Sequence, residues 1–264
     1  MNFGIEEAAS EVASVFLGGE MKKPDTGSIV ASLLCTLLVG GGAFLGLSLL
    51  GQADMASNPK PSPRAVQTAE AEAEDGFPEV DWDWWKKENP DVIGWITVPG
   101  TGIDLPICQA RNEDPTFYLA HDVYGNWNIY GCPYLDAECV EKGFDSPLAM
   151  VFGHHMDDGS MFAAMASYSD KAFAQEHCEI LLQTPEEKKR LHVAAADVVD
   201  TYNEFKRLSF GDRRGFLAWW EETLEGSDMV LDPNATDTES VHAFVTCSYG
   251  PWNGHERTIV YAVE

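Results

Sequence analysis

The chain has 264 residues, enough for one large domain or two smaller ones, and with 45% hydrophobic residues it can form a buried core. Its 43 acidic and 17 basic residues give a formal net charge of −26, which argues against a nucleic-acid-binding surface because phosphates require clustered Lys and Arg. Eight tryptophans within an aromatic content of 11% exclude a collagen-like or wholly disordered chain.

A membrane anchor is predicted near the N-terminus. Residues 1–27 form a short segment without a functional motif. Residues 28–50 follow without a single charged side chain, and an apolar run of this length is typical of a helix that crosses a bilayer. The run is longer than the apolar part of a cleaved signal peptide and is not followed by a cleavage site with small residues. A buried core helix remains an alternative. The orientation is left open because basic residues stand on both sides: Lys22, Lys23, Lys60 and Arg64.

Residues 51–78 are predicted to be a stalk. The segment contains three closely spaced prolines, followed by alternating Ala and Glu over residues 69–74. This composition is too polar to form a core, and its like charges repel one another. We expect an extended linker, or at most a short solvated helix, in front of a domain that covers residues 79–264.

The domain over residues 79–264 is predicted to be mainly β. A short helix is expected over 82–89, where Pro90 ends it. A second helix is expected from Asp212, which can cap it, to Glu225, with Gly226 closing it and an apolar stripe along one side. Short apolar runs separated by turn-rich loops favour a β-barrel or sandwich over a doubly wound α/β sheet. The expected strands cover residues 92–98, 103–107, 148–152, 180–183, 191–199, 241–246 and 258–263.

A cysteine and an arginine are predicted to lie opposite each other at one end of a strand pair. Cys247 follows one apolar run, and Arg257 precedes the next. If the two strands pair antiparallel about the loop between them, Cys247 faces Arg257 and Val245 faces Ile259. A guanidinium beside a thiol favours the nucleophilic thiolate and can donate hydrogen bonds to a developing oxyanion. The alternative is a buried structural cysteine beside a surface arginine.

Two adjacent histidines, His154 and His155, follow the strand predicted over residues 148–152. A thiolate and an imidazole together suffice for covalent acyl transfer, because the thiolate attacks and the imidazolium protonates the leaving amine. Neighbouring residues of a strand point to opposite faces, so only one histidine is expected to face Cys247. A zinc site is an alternative, but no further ligand stands at zinc-like spacing, and no metal is predicted.

Three separated motifs resemble the class B sortases, in the order that this family has. They are Phe117-Tyr118-Leu119-Ala120-His121-Asp122 leading to Pro133-Tyr134-Leu135-Asp136, then Val151-Phe152-Gly153-His154-His155-Met156-Asp157-Asp158-Gly159-Ser160-Met161-Phe162, and Val245-Thr246-Cys247 with Arg257. The resemblance extends over essentially residues 82–264. It implies an eight-stranded β-barrel with an N-terminal helix and a long helix before the strand that carries the cysteine.

The resemblance also implies roles for four residues. Cys247 is expected to be the nucleophile, His154 the general acid, and Arg257 the residue that positions the substrate and stabilises the oxyanion. Thr246, the retained threonine before the cysteine, is expected to bind substrate. The family requires no cofactor.

By resemblance, the chain is a cysteine transpeptidase. It would cleave a sorting signal similar to Asn-Pro-Gln-Thr-Asn, form a thioester on Cys247, and transfer the acyl group to an amine of a peptidoglycan precursor or a pilin lysine. The catalytic domain would lie outside the cell, anchored by a single span at residues 28–50. A membrane-tethered cysteine peptidase, which uses water instead of an amine, and a non-catalytic binding module on a stalk are the alternatives.

The remaining cysteines of the domain are candidates for disulfides, because an extracellular milieu is oxidising. Cys108, Cys132, Cys139 and Cys178 can pair in three ways. Cys132 and Cys139 are expected to be the easiest pair to close, because only a short loop separates them. Buried thiols are the alternative.

Overall fold

The computed structural model describes residues 75–201, 208–249 and 255–264. The N-terminal segment 1–27, the predicted membrane span 28–50 and the stalk as far as residue 74 lie outside the described residues. None of the helices within the described ranges has both the length and the apolar character needed to cross a bilayer.

Eight strands close into a barrel. The strand order is β5–β1–β2–β3–β4–β8–β9–β6, and β6 also pairs with β5, which completes the ring. Strand β7 pairs with β6 outside this ring. The eight-stranded barrel implied by the family resemblance is confirmed. The strands are β1 (Val92–Thr97), β2 (Asp104–Gln109), β3 (Tyr134–Leu135), β4 (Leu148–Phe152), β5 (Glu179–Gln183), β6 (Lys188–Asp200), β7 (Met229–Val230), β8 (Val241–Ser248) and β9 (Glu256–Val263).

The long strand β6 allows the ring to close. Its first residues, 188–192, pair with β5, whereas residues 192–200 pair with β9. The register against β9 shifts between Val193 and Ala195. A bulge of this kind bends a strand and increases its twist, so β6 can turn from one neighbour to the other.

Three α-helices lie within the described residues: α1 (Trp82–Glu88), α2 (Lys171–Glu176) and α3 (Arg213–Gly226). The predicted N-terminal helix is confirmed as α1. The Asp81 side chain accepts a hydrogen bond from the Trp84 amide at its start. Asn89, the residue before Pro90, is extended and ends the helix, as the steric clash with a following proline requires.

Helix α3 confirms the predicted long helix and covers the outer face of β8 and β9. The Asp212 side chain accepts from the Gly215 amide. The buried stripe Phe216, Trp220 and Leu224 packs against a cluster that includes Ala243 of β8 and Tyr261 of β9. Gly226 is the last helical residue and Ser227 is the C-cap, so the expected closing role of Gly226 is wrong by one position.

Strand β8 is buried on both faces. Phe244 faces the barrel interior together with Val260, whereas Ala243 and Val245 face α3. Double burial explains why this strand has a continuous apolar run instead of alternation. Both predicted strands of the pair β8–β9 extend further toward the connecting loop than the sequence indicated.

The cysteines do not pair as expected. Those within the described residues are all free thiols. The Cys132 sulfur lies 3.6 Å from the sulfur of Cys108, whereas Cys139 donates to the Leu148 carbonyl, and Cys178 is exposed. The expectation that Cys132 and Cys139 are neighbours is therefore wrong, because the short 3₁₀ helix Ala137–Cys139 turns the Cys139 side chain toward β4.

Candidate active site

Cys247 and Arg257 are direct cross-strand partners at one end of the pair β8–β9. The same register pairs Val245 with Ile259, as predicted. Both side chains are partly exposed, whereas Thr246 and Glu256, the residues next to them, are buried. The thiol and the guanidinium therefore lie on the same face of the sheet, at its solvent-accessible end.

His154 reaches the same end of the sheet from the neighbouring strand. Strand β4 runs parallel to β8, with Phe152 opposite Val245, and the Gly153 amide donates to the Val245 carbonyl. His154 follows Phe152 by two residues, as Cys247 follows Val245. The register and the side-chain period of two bring His154 to the level and face of Cys247.

The two histidines have different surroundings. The Nε2 atom of His154 lies 2.7 Å from the Leu119 carbonyl oxygen. Nδ1 of His155 lies 2.9 Å from the Cys247 carbonyl oxygen, and its ring makes an edge contact with Tyr249. A carbonyl can only accept, so Nε2 of His154 donates and Nδ1 remains available for proton exchange. These contacts agree with the expectation that the histidines point to opposite faces.

Gly131 makes room for the contact between His154 and Leu119. Its φ of +61° lies in the left-handed region. A Cβ at this position would overlap the Tyr118 carbonyl oxygen and would come within 2.9 Å of the Leu119 oxygen and 3.2 Å of the His154 ring. Sequence reasoning identified neither Leu119 nor Gly131 as a supporting residue. The only available signal was the glycine at the start of the segment that leads to Tyr134.

Two tyrosines lie within electrostatic range of the thiol. Tyr134 stacks on Phe152, and burial raises its pKa to about 12, with the nearby Asp136 and Cys247 side chains adding to the shift. Burial also raises the pKa of Tyr249, whereas Arg257 opposes that shift. Neither phenol loses its proton near neutral pH, so both act as neutral polar groups beside the site. Tyr134 lies in the first of the three sequence motifs, but neither tyrosine was predicted to be near the site.

The Thr246 side chain is 1% exposed and lies opposite Thr258. It points to the face of β8 away from Cys247, and its hydroxyl has no hydrogen-bond partner among the described residues. Its role in substrate binding remains a prediction. This location favours an indirect contribution through the strand that carries Cys247.

A cavity of about 740 Å³ lies on the same side of β8 as Ser248 and Thr258. His155 and Tyr249 also line it, whereas Cys247, Arg257 and His154 do not. Within the described ranges, no group of three or more His, Cys, Asp or Glu side chains is arranged to hold a metal ion.

Comparison with known proteins finds two similar sortases, although no family model matches the chain. The chain is 36% identical over 162 residues to sortase B of Listeria monocytogenes, which covers 61% of this chain and 65% of that protein. It is 26% identical over 178 residues to sortase B of Staphylococcus aureus, which covers 67% of this chain and 71% of that protein. Both relatives support a class B sortase.

Solved structures agree on the fold of this chain. A Staphylococcus aureus sortase B–substrate complex superposes with a TM-score of 0.59 at 22% sequence identity, covering 69% of this chain and 83% of that one. The resemblance inferred from the sequence motifs is confirmed, and the chain is an enzyme of the cysteine transpeptidase class. The Listeria relative is matched over slightly less than two thirds of its own length.

Proposed function

We propose that this sortase cleaves the sorting signal of surface proteins and transfers the acyl group to an amine of the cell wall or of a pilin. The observation that carries the proposal is the cross-strand pairing of Cys247 with Arg257. His154 at the same end of the adjacent strand supports it, because acyl transfer needs a proton donor beside the nucleophile.

In the first half-reaction, the Cys247 thiolate attacks the scissile carbonyl carbon and forms a tetrahedral intermediate. The Arg257 guanidinium donates hydrogen bonds to the negative oxygen. Such donors lower the barrier because negative charge develops on this oxygen in the transition state. Protonated His154 gives its proton to the leaving amine. The carbon–nitrogen bond breaks, and a thioester on Cys247 and a free peptide amine result.

In the second half-reaction, an incoming amine attacks the thioester. Neutral His154 takes the proton from the amine, Arg257 again stabilises the oxyanion, and the Cys247 thiolate departs as the new amide bond forms. Water in place of the amine would release a free acid, which is the peptidase alternative. Thr246 enters the proposal as a positioning residue that supports the strand end below Cys247.

We propose in addition that residues 28–50 anchor the enzyme in the cell membrane, with the catalytic domain outside. The support is the uncharged apolar run in the sequence, together with the stalk composition of residues 51–78. The proposed substrates, sorting signals and cell-wall amines, are located on the outer side of the membrane.

To test the proposal, the full chain is incubated with a fluorophore-labelled sorting peptide, in the presence and absence of an amine such as triglycine. Transfer predicts a product whose mass includes the amine, and an acyl-enzyme whose adduct maps to Cys247. Cys247→Ala should lose all activity, whereas Cys178→Ala, which removes an exposed thiol, should retain it. Hydrolysis under every acceptor would support the peptidase, and full activity of Cys247→Ala would contradict covalent catalysis at this residue.

A further inference from the structure

Two buried thiols lie side by side below the segment that supports His154. The sulfurs of Cys108 and Cys132 are 3.6 Å apart, and the side chains are 0% and 5% exposed. Cys108 belongs to β2 and pairs with Tyr134, two residues after Cys132. The Cys108 amide donates to the Pro133 carbonyl, so the backbone holds the two chain segments together.

We infer that Cys108 and Cys132 form an intramolecular disulfide when the domain meets an oxidising milieu. A disulfide bond requires the sulfurs to approach by only about 1.5 Å, to the usual ~2.05 Å. Cys139 contacts the Leu148 carbonyl instead, and Cys178 is exposed elsewhere on the domain. The inference takes its oxidising milieu from the proposed surface location, whereas the pairing itself rests on the geometry alone.

The reaction is a thiol–disulfide exchange with a disulfide oxidant, either a small molecule or an oxidoreductase. One cysteine thiolate attacks the oxidant disulfide and releases its first thiol, and the second cysteine displaces the other. Two protein thiols become one disulfide, and the oxidant is reduced to two thiols. Burial raises the pKa of the Cys132 thiol, so exchange is slow in the folded domain and faster while it folds.

The bond would fasten the support of His154 to the barrel. Cys132 follows Gly131, and its amide donates to the Tyr118 carbonyl at 2.9 Å. Tyr118 precedes Leu119, whose carbonyl accepts from His154. A disulfide at Cys132 therefore ties this segment to β2, and it closes a loop whose ends are 24 residues apart in the sequence. Constraining the unfolded chain in this way should raise the melting temperature by roughly 5–10 °C.

The experiment refolds full-chain Cys247→Ala in a buffer of reduced and oxidised glutathione, because the variant removes the reactive nucleophile. Free thiols are then alkylated, and proteolytic peptides are mapped by mass spectrometry under non-reducing conditions. The expected result is a peptide pair linked through Cys108 and Cys132, with a melting temperature that falls when a reductant is added. Cys139→Ala in the same background should keep the link, whereas Cys132→Ala should lose both the link and the reductant effect.

Alkylation of both cysteines in the refolded protein, or linkage of Cys132 to another cysteine, would overturn the inference. Peptide mapping on Cys247→Ala gives this answer even if Cys132→Ala does not fold. Because the tested protein is inactive by design, the outcome is independent of whether the enzyme transfers acyl groups.

Discussion

The Nε2 atom of His154 lies 2.7 Å from the carbonyl oxygen of Leu119, which stands 35 residues earlier in the chain. Leu119 ends a short 3₁₀ helix, Phe117–Leu119. Within that helix, Tyr118 is buried, and its hydroxyl donates to Asp91 at 2.7 Å. The orientation of the imidazole therefore depends on a segment that belongs to neither strand of the site.

Gly131→Ala should lower kcat about 10- to 100-fold, because the added methyl would displace the Leu119 carbonyl or the His154 ring. Gly125→Ala is the matched control: Gly125 also has positive φ, but its Cβ would meet nothing within 4 Å. Each variant should lose about 1 kcal/mol or more of stability from backbone strain. Equal kcat values in the two variants, measured at matched folded fraction, would refute the positioning role of Gly131.

Arg257→Lys should reduce kcat by roughly 10²–10³, because an ammonium keeps the charge but lacks the paired donors of the guanidinium. KM should change less, since the oxyanion exists only after attack. Steady-state kinetics with the sorting peptide give both values. Arg213→Lys, at an exposed ion pair with Asp237, serves as the control and should be neutral. A loss confined to KM would instead indicate a role in substrate binding alone.

His154→Gln should lower kcat by about 10²–10⁴, the usual contribution of general acid–base catalysis, and should flatten the pH–rate profile. His155→Gln should have a smaller effect, because Nδ1 of His155 is engaged with the Cys247 carbonyl oxygen. Pre-steady-state acylation rates across pH compare the two directly. A larger loss of acylation rate in His155→Gln than in His154→Gln would indicate that His155 is the general acid.

His242 should make the domain less stable as the pH falls below about 6.5. Burial lowers the pKa of His242 to about 4, with the positive charge of Lys189 adding to the shift. The unfolded chain has the ordinary value near 6.5, so it binds a proton before the folded state does. The free energy of unfolding is therefore unaffected by His242 above about pH 6.5. It declines as the pH falls toward 4, by about 3 kcal/mol in total.

Denaturant unfolding at pH 7 and pH 5 measures this effect. His242→Gln should reduce the difference in stability between the two pH values. An unaltered pH dependence in His242→Gln would show that other groups account for it.

Thr246→Val tests whether the threonine hydroxyl touches substrate. The hydroxyl is buried on the face away from Cys247 and has no partner among the described residues. Replacing it with a methyl of similar shape should leave stability equal or higher and KM within about twofold. A large rise in KM for the sorting peptide would assign a direct binding role to Thr246.

Local patterns in the sequence were enough to predict much of the site. The apolar runs on either side of one loop predicted the register that pairs Cys247 with Arg257. The apolar stripe of Phe216, Trp220 and Leu224 predicted helix α3. Both predictions succeeded because the side-chain periods of strands and helices depend only on neighbouring residues.

Short or distant features were missed for the opposite reason. Strands β3 and β7 contain two residues each, too few to show a period, and their pairing depends on what lies beside them. The neighbours Cys108 and Cys132 likewise meet only because β2 and the approach to β3 are joined in the barrel.

The sequence by itself therefore determined the long helix and the opposition of Cys247 and Arg257, since both follow from local periodicity, whereas the eight-stranded barrel was expected only from the resemblance to class B sortases. Only the tertiary structure decided which carbonyl holds His154, why Gly131 must lack a side chain, and which cysteines are neighbours. These contacts join segments that are far apart in the chain, and closure of the sheet through β6 brings such segments together.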